Sequence, residues 1–192
     1  MRISSQDAKL ALRCRIREEL KAMTPAKRVA DSAQACHLVE QQAVWKEAGS
    51  VLLYAPLTEE LDIWPLLTKA LAAGKIVALP RFIVEKNLYA ACQICEPTRD
   101  LKPGHFGIPE PSAHCPPIAI YGLDFILVPG IAFDLHGRRL GRGKGFYDRL
   151  LAVVRGTTCG IAFDEQIVRE IPVEPHDIRL NCILTPTRWI EQ

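Results

Sequence analysis

The chain has 192 residues, enough for a single domain spanning 1–192 that buries most of its apolar surface. With 48% apolar and 24% charged residues it reads as an ordinary folded globular protein, and a formal net charge of +2 is too small to coat a nucleic acid. No apolar run approaches the roughly 20 residues of a membrane helix. Asp7, Glu18 and Glu19 in an N-terminus without an apolar core argue against a targeting peptide. A cytoplasmic protein without nucleic-acid or membrane partners, working as a monomer, is expected.

Residues 5–22 predict an amphipathic helix, with Ala8, Leu12, Ile16 and Leu20 on one side and Lys9, Arg13, Arg17 and Lys21 beside them. Thr24-Pro25 starts a second helix that should run to about Glu47 and close at Gly49. Ser50–Tyr54 is a short apolar strand, 61–73 a helix ended by Gly74, and 75–79 the next strand, a unit that predicts parallel pairing. Residues 88–95 alternate like a strand. The proline-rich stretch 96–122 reads as an ordered surface excursion. A buried strand at 123–128, a helix over 146–154 and strands at 158–163 and 182–185 complete an α/β fold: one open, mostly parallel sheet with helices on both faces.

Polar or special-geometry clusters follow the carboxyl ends of the apolar strands, at 55–60, 80–81, 129–148 and 163–165. Ligands of open α/β sheets bind along that edge, so these four loops predict one shared crevice.

Seven cysteines show no disulfide framework. Cys92 and Cys95 form C-x-x-C, with His105, His114 and Cys115 downstream as conceivable zinc partners, but no second pair exists and the motif lies on a strand pattern. Free, partly buried thiols are the expectation. The five histidines show no nucleophile-activating or metal-binding spacing.

The segment Arg139-Leu140-Gly141-Arg142-Gly143-Lys144-Gly145-Phe146-Tyr147-Asp148 carries the most chemistry. Its alternating glycines let the backbone approach a ligand and aim successive N–H groups at it, while Arg139, Arg142 and Lys144 supply positive charge. The helix it opens favours anions at its N-terminus. Such a loop fits phosphate, although it is neither a Walker A loop nor a dinucleotide fingerprint. Asp148, in the first turn of that helix, is either a magnesium ligand bridging phosphates or an acid favoured by the helix dipole. Asp177 is a second candidate ligand. Lys9 and Arg13 share a helix face and can meet one phosphate, or form an ordinary solvated basic face. Glu60 either starts a helix or hydrogen-bonds a substrate in the crevice.

Together these motifs closely resemble the signature of the 5-formyltetrahydrofolate cyclo-ligase family. The resemblance is carried by Pro129–Asp134, Gly137 and Arg139–Asp148. It is extended by Lys9–Arg13, Glu59–Asp62, Gly107–Pro111 and His176-Asp177 in the right order. It implies an ATP-dependent closure of 5-formyltetrahydrofolate to 5,10-methenyltetrahydrofolate with release of ADP and phosphate. Carried over by position, Lys9 to Arg13 and Arg139 through Tyr147 (Leu140, Gly141, Arg142, Gly143, Lys144, Gly145 and Phe146 included) would hold ATP. Ala55, Glu60, Phe106 and Arg142 to Phe146 would face the folate. Asp148 and Asp177 would hold magnesium, and Arg142 and Lys144 would stabilise the transition state. Phe106 stands where the family often has Trp, and Phe146 where Tyr is common, so folate stacking is the point of departure. The same loop would also suit activation of another amide or carboxylate, or a phosphate sensor without turnover.

Overall fold

The computed structural model describes residues 4–105, 107–172, 174 and 177–192. Helix α1 (Ser5–Lys21) begins where the Ser4 hydroxyl accepts the Asp7 N–H at 3.1 Å, and α2 (Pro25–Gln41) where Thr24 accepts from Lys27 at 3.2 Å. The expected single helix to Glu47 is broken at Gln42, whose backbone is extended, and α3 (Ala43–Glu47) follows. Nothing in the local sequence forces the break. It turns Trp45 into the core, edge-on to Phe125 at 5.8 Å, so tertiary packing outweighs helix propensity.

Strand β1 (Ser50–Leu52) leads to α4 (Trp64–Ala72), which starts later than the predicted 61 because Asp62 accepts the Trp64 N–H at 3.0 Å and ends the preceding loop. Then come β2 (Ile76–Ile83) and β3 (Leu88–Ile94). The excursion beyond them is ordered: α5 (Pro97–Asp100) and a hairpin of β4 (Leu101–Pro103) with β5 (Pro109–Pro111). Strands β6 (Phe125–Val128), β7 (Ala132–Asp134) and β8 (Arg139–Leu140) precede α6 (Phe146–Leu151). The chain closes with β9 (Thr157–Ile161), β10 (Ile167–Val168), β11 (Cys182–Leu184) and β12 (Trp189–Glu191).

The main sheet runs β12-β11-β9-β6-β1-β2-β3, parallel through its five central strands and antiparallel at both edges. Alternation along the strands divides the core into two layers. Val51, Val77, Leu79, Phe125 and Leu127 face α1 to α4, whereas Leu52, Ala78, Ile126 and Val128 face α6 and the segment around Ile118 and Ile120. The expected α/β sheet with helices on both faces is thus present, with one face far more heavily covered. A small sheet β10-β7-β8 and the antiparallel β12 were not legible as strands.

Strand order reverses between β1 and β6: from β1 the chain steps outward to β2, and β6 then returns to its other side. The loops leaving the carboxyl ends of β1 and β6 therefore part, opening the crevice where such sheets bind ligands.

Asp100 fixes the excursion that roofs this crevice. Its buried carboxylate accepts backbone N–H groups of Cys95 (2.7 Å) and Glu96 (2.9 Å), receives Arg99 at 2.8 Å and lies 3.0 Å from His114. Arg99 and then these other donors hold the carboxyl well below the usual range. All seven cysteines are free and five are buried, as expected of structural thiols. Cys92 and Cys95 do not gather with His105. Instead Cys115 and His114 lie beside Asp100.

Replacing Asp100 by Asn should cost roughly 1–3 kcal/mol at neutral pH and lower the melting temperature by about 2–4 °C per kcal/mol. The depressed native pKa means this stabilisation exists above the unfolded value near 3.9 and disappears as pH falls through the native one. Thermal melts from pH 7 to 3 should show the wild-type advantage shrinking below about pH 4.

Candidate active site

The glycine loop is built from below. Asp134, fully buried, accepts the N–H groups of His136 (2.9 Å) and Arg138 (3.1 Å) on one oxygen and of Ile171 (3.0 Å) on the other, fixing the turn before β8. Gln166 donates to the carbonyls of Gly130 (2.8 Å) and Ile131 (3.1 Å). The loop at 163–165, expected to line the crevice, thus contributes a brace from Gln166 instead. Arg81 likewise turns away, donating to the carbonyls of Ser112 and Cys115.

Gly143 (φ +96°) and Gly145 (φ +65°) adopt left-handed backbone that side chains disfavour. At Gly141 a Cβ would lie 2.9 Å from the Arg139 guanidinium. Helix α6 is six residues long, so its dipole is a minor contribution, and the cations and loop N–H groups carry the site's positive potential.

Two cavities, of about 320 and 470 Å³, meet at this loop. Arg139, Gly141, Gly143, Gly145 and Asp148 line both, so the loop is the wall between them.

The larger cavity is polar. Lys9, Leu10, Arg13, Leu140 and Asp177 line it, together with Gln6, Asp7 and Glu174, which sequence reasoning did not single out as site residues. Lys9 is buried against Asp177 (2.9 Å) and Glu174 (3.2 Å), and Arg13 donates to the Gly141 carbonyl at 2.9 Å. Arg139 meets Asp148 at 2.6 Å. Both expected magnesium ligands therefore reach this cavity, each beside a cation expected to hold phosphate.

The smaller cavity lies at the β1/β6 crevice. Tyr54, Ala55, Leu57 and Glu60 come from the β1 side and Pro129 and Gly130 from the β6 side. Arg142, Lys144, Phe146 and Tyr147 add the loop's wall. Phe82, Tyr89 and Phe146 pack edge to face at 5.1–5.6 Å, giving an aromatic flank, with His105 stacked on Phe82 at 4.9 Å. Ile108 and Glu110 of the 107–111 motif also line the space, as does Tyr89, to which no motif pointed. Phe106, expected against folate, and His176 of the C-terminal motif lie outside the described residues.

Arg142 spans Glu59 (3.0 Å) and Glu60 (2.9 Å), and Glu60 also accepts the Leu57 N–H at 3.0 Å. Burial works against the Arg142 charge, but Glu60 and Glu59 more than offset it and raise its pKa. Burial, then Glu60, push the Tyr147 phenol up, so it stays a neutral donor at physiological pH.

A basic, glycine-rich wall between a polar and an aromatic cavity suits transfer of a phosphoryl group to a flat organic substrate. Residues 5–186 match the model of the 5-formyltetrahydrofolate cyclo-ligase family. The chain belongs to this family. It is an enzyme, an ATP-dependent ligase. It is 32% identical over 180 residues to 5-formyltetrahydrofolate cyclo-ligase of Escherichia coli K12, covering 90% of this chain and 97% of that one. To the mouse cyclo-ligase it is 27% identical over 193 residues, covering 95% of each. The solution structure of Aquifex aeolicus 5,10-methenyltetrahydrofolate synthetase superposes with a TM-score of 0.86 at 33% identity, over 95% of this chain and 92% of that one.

Gly145→Ala would force a side chain into left-handed backbone, about 1–2 kcal/mol of strain, with its Cβ 3.3 Å from Arg149. Calorimetry should show ATP affinity reduced roughly five- to thirtyfold, the melting temperature moving by only a few degrees.

Proposed function

We propose that this chain carries out its family's reaction through the two cavities, with ATP in the polar one and 5-formyltetrahydrofolate in the aromatic one. The carrying observation is the shared wall: the same loop residues border both spaces, so a γ-phosphoryl group held on one side is presented to the formyl oxygen on the other.

The formyl oxygen attacks the γ-phosphorus and the bond to ADP breaks. N10 then attacks the activated formyl carbon and loses its proton. The former formyl oxygen departs with inorganic phosphate, leaving the 5,10-methenyl bridge. No protein nucleophile is needed. Lys9, Arg13 and Arg139 hold the phosphates, and Arg142 and Lys144 neutralise charge that builds as the phosphoryl group moves. Exclusion of water by the aromatic flank keeps the activated formyl group from hydrolysis.

Two carboxylates from separate elements on a phosphate cavity are a donor set suited to magnesium, which takes one or two carboxylates and completes its shell with phosphate oxygens and water. Asp148 and Asp177 would hold it, and it would supply neutralisation of the phosphate charge. Arg139 and Lys9 would then be released from these acids toward the phosphates. We further read the enzyme as a cytoplasmic monomer. Among the described residues no helix is long and apolar enough to cross a membrane, and the charge of +2 favours no polyanion.

The test is absorbance at the methenyl-folate band with 5-formyltetrahydrofolate, ATP and magnesium, each omitted in turn. A signal requiring all three is expected, and turnover without ATP would refute the reading. Lys144→Ala should cut kcat by 100-fold or more while folate binding changes little, and near-normal turnover would remove Lys144 from the transition state. Asp148→Asn should raise the magnesium concentration for half-maximal rate at least tenfold, read from titrations at saturating ATP.

A further inference from the structure

Besides Glu60 and Asp148, the aromatic cavity is lined by a third carboxylate that neither the loop nor the expected folate contacts account for. Glu110 lies on β5 and is only 8% exposed. One of its oxygens, Oε2, accepts the Phe82 N–H at 3.1 Å. Its stem passes directly over Gly104, where a Cβ would stand 2.4 Å from both Cγ and Cδ, so any other residue at 104 would push the side chain out. The turn is fixed by Gly104 donating to the Ile108 carbonyl at 2.8 Å and by Gly107 at φ +72°.

The carboxylate is therefore held in place from two sides and lines the cavity. Its Oε1 makes no hydrogen bond among the described residues. Glu60, across the same cavity, has Oε1 on Arg142 and Oε2 on the Leu57 N–H. Tyr89 stands near both acids, and its phenol is pushed up first by burial and then by Glu110 and Glu60. An oxygen that opens onto the cavity while its stem and its other oxygen are fixed is an acceptor already in place for a ligand N–H.

A reduced pterin offers several N–H donors on a flat ring, which matches a carboxylate set into an aromatic wall. We infer that Glu110 is a substrate-binding residue whose Oε1 accepts a hydrogen bond from an N–H of the reduced pterin. The inference rests on the folate reading above.

Glu110→Gln keeps an oxygen for the Phe82 N–H and turns the atom facing the cavity from acceptor to donor. It should raise KM for 5-formyltetrahydrofolate at least tenfold, leaving KM for ATP and the melting temperature essentially unmoved. Inhibition by p-aminobenzoylglutamate, which lacks the pterin, should be unchanged. Should the amide variant fold poorly, Glu110→Asp keeps the charge, withdraws it by one methylene, and should give the same KM pattern. An unchanged folate KM, or an equal loss of p-aminobenzoylglutamate inhibition, would overturn the assignment. A wild-type protein that does not turn over 5-formyltetrahydrofolate would instead overturn the folate reading itself.

Discussion

Concentrating positive charge around one loop is the constraint that shapes this molecule. Lys9, Arg13, Arg139, Arg142 and Lys144 converge on a few glycines, and without counter-charges their repulsion would splay the loop. The fold answers with acids from distant parts of the chain. Asp177 and Glu174 meet Lys9, Asp148 meets Arg139, and Glu59 and Glu60 meet Arg142. Apart from Glu174 and Glu59, these are the residues that the phosphate, metal and folate readings need. On the proposed function, the ion pairs of the ligand-free site would be exchanged on binding for pairs with ligands, so little new charge would have to be desolvated when substrates arrive.

The sheet makes that convergence possible. Reversal of strand order at β1/β6 parts two loops, and both cavities open over that gap with the glycine loop between them. Buried polar groups then replace flexibility with fixed geometry. Asp134 and Gln166 support the loop from beneath, and Asp100 holds the excursion that brings Ile108 and Glu110 over the aromatic cavity. Electrostatic catalysis of phosphoryl transfer depends on donors already in place, so this rigid backing is part of the chemistry.

Much of this was legible in the sequence, for local reasons. Gly141, Gly143 and Gly145 alternate with cations within one short segment, and the parallel strands announce themselves as apolar runs followed by polar clusters. What escaped were features decided by tertiary contact. Gln42 breaks a helix so that Trp45 can pack on Phe125, a cause many residues away. Strands β7, β8, β10 and β12 have two or three residues each and show no usable periodicity. Tyr89 enters the cavity through β2–β3 pairing, which is no motif spacing, and Glu110, although inside the 107–111 motif, owes its place in the cavity to the Gly104 turn. Asp148 and Asp177 lie far apart in the chain, and only the folded structure brings them to one cavity with Lys9 and Arg13.

The central claim is that the loop presents the γ-phosphoryl group of ATP to the formyl oxygen of the folate. Labelling that oxygen with 18O and analysing the released phosphate by mass spectrometry tests it most directly. The account predicts that each phosphate formed carries one labelled oxygen. Unlabelled phosphate accompanying full conversion to the methenyl product would mean that ATP activates some other group, and the wall between the cavities would have lost its proposed role.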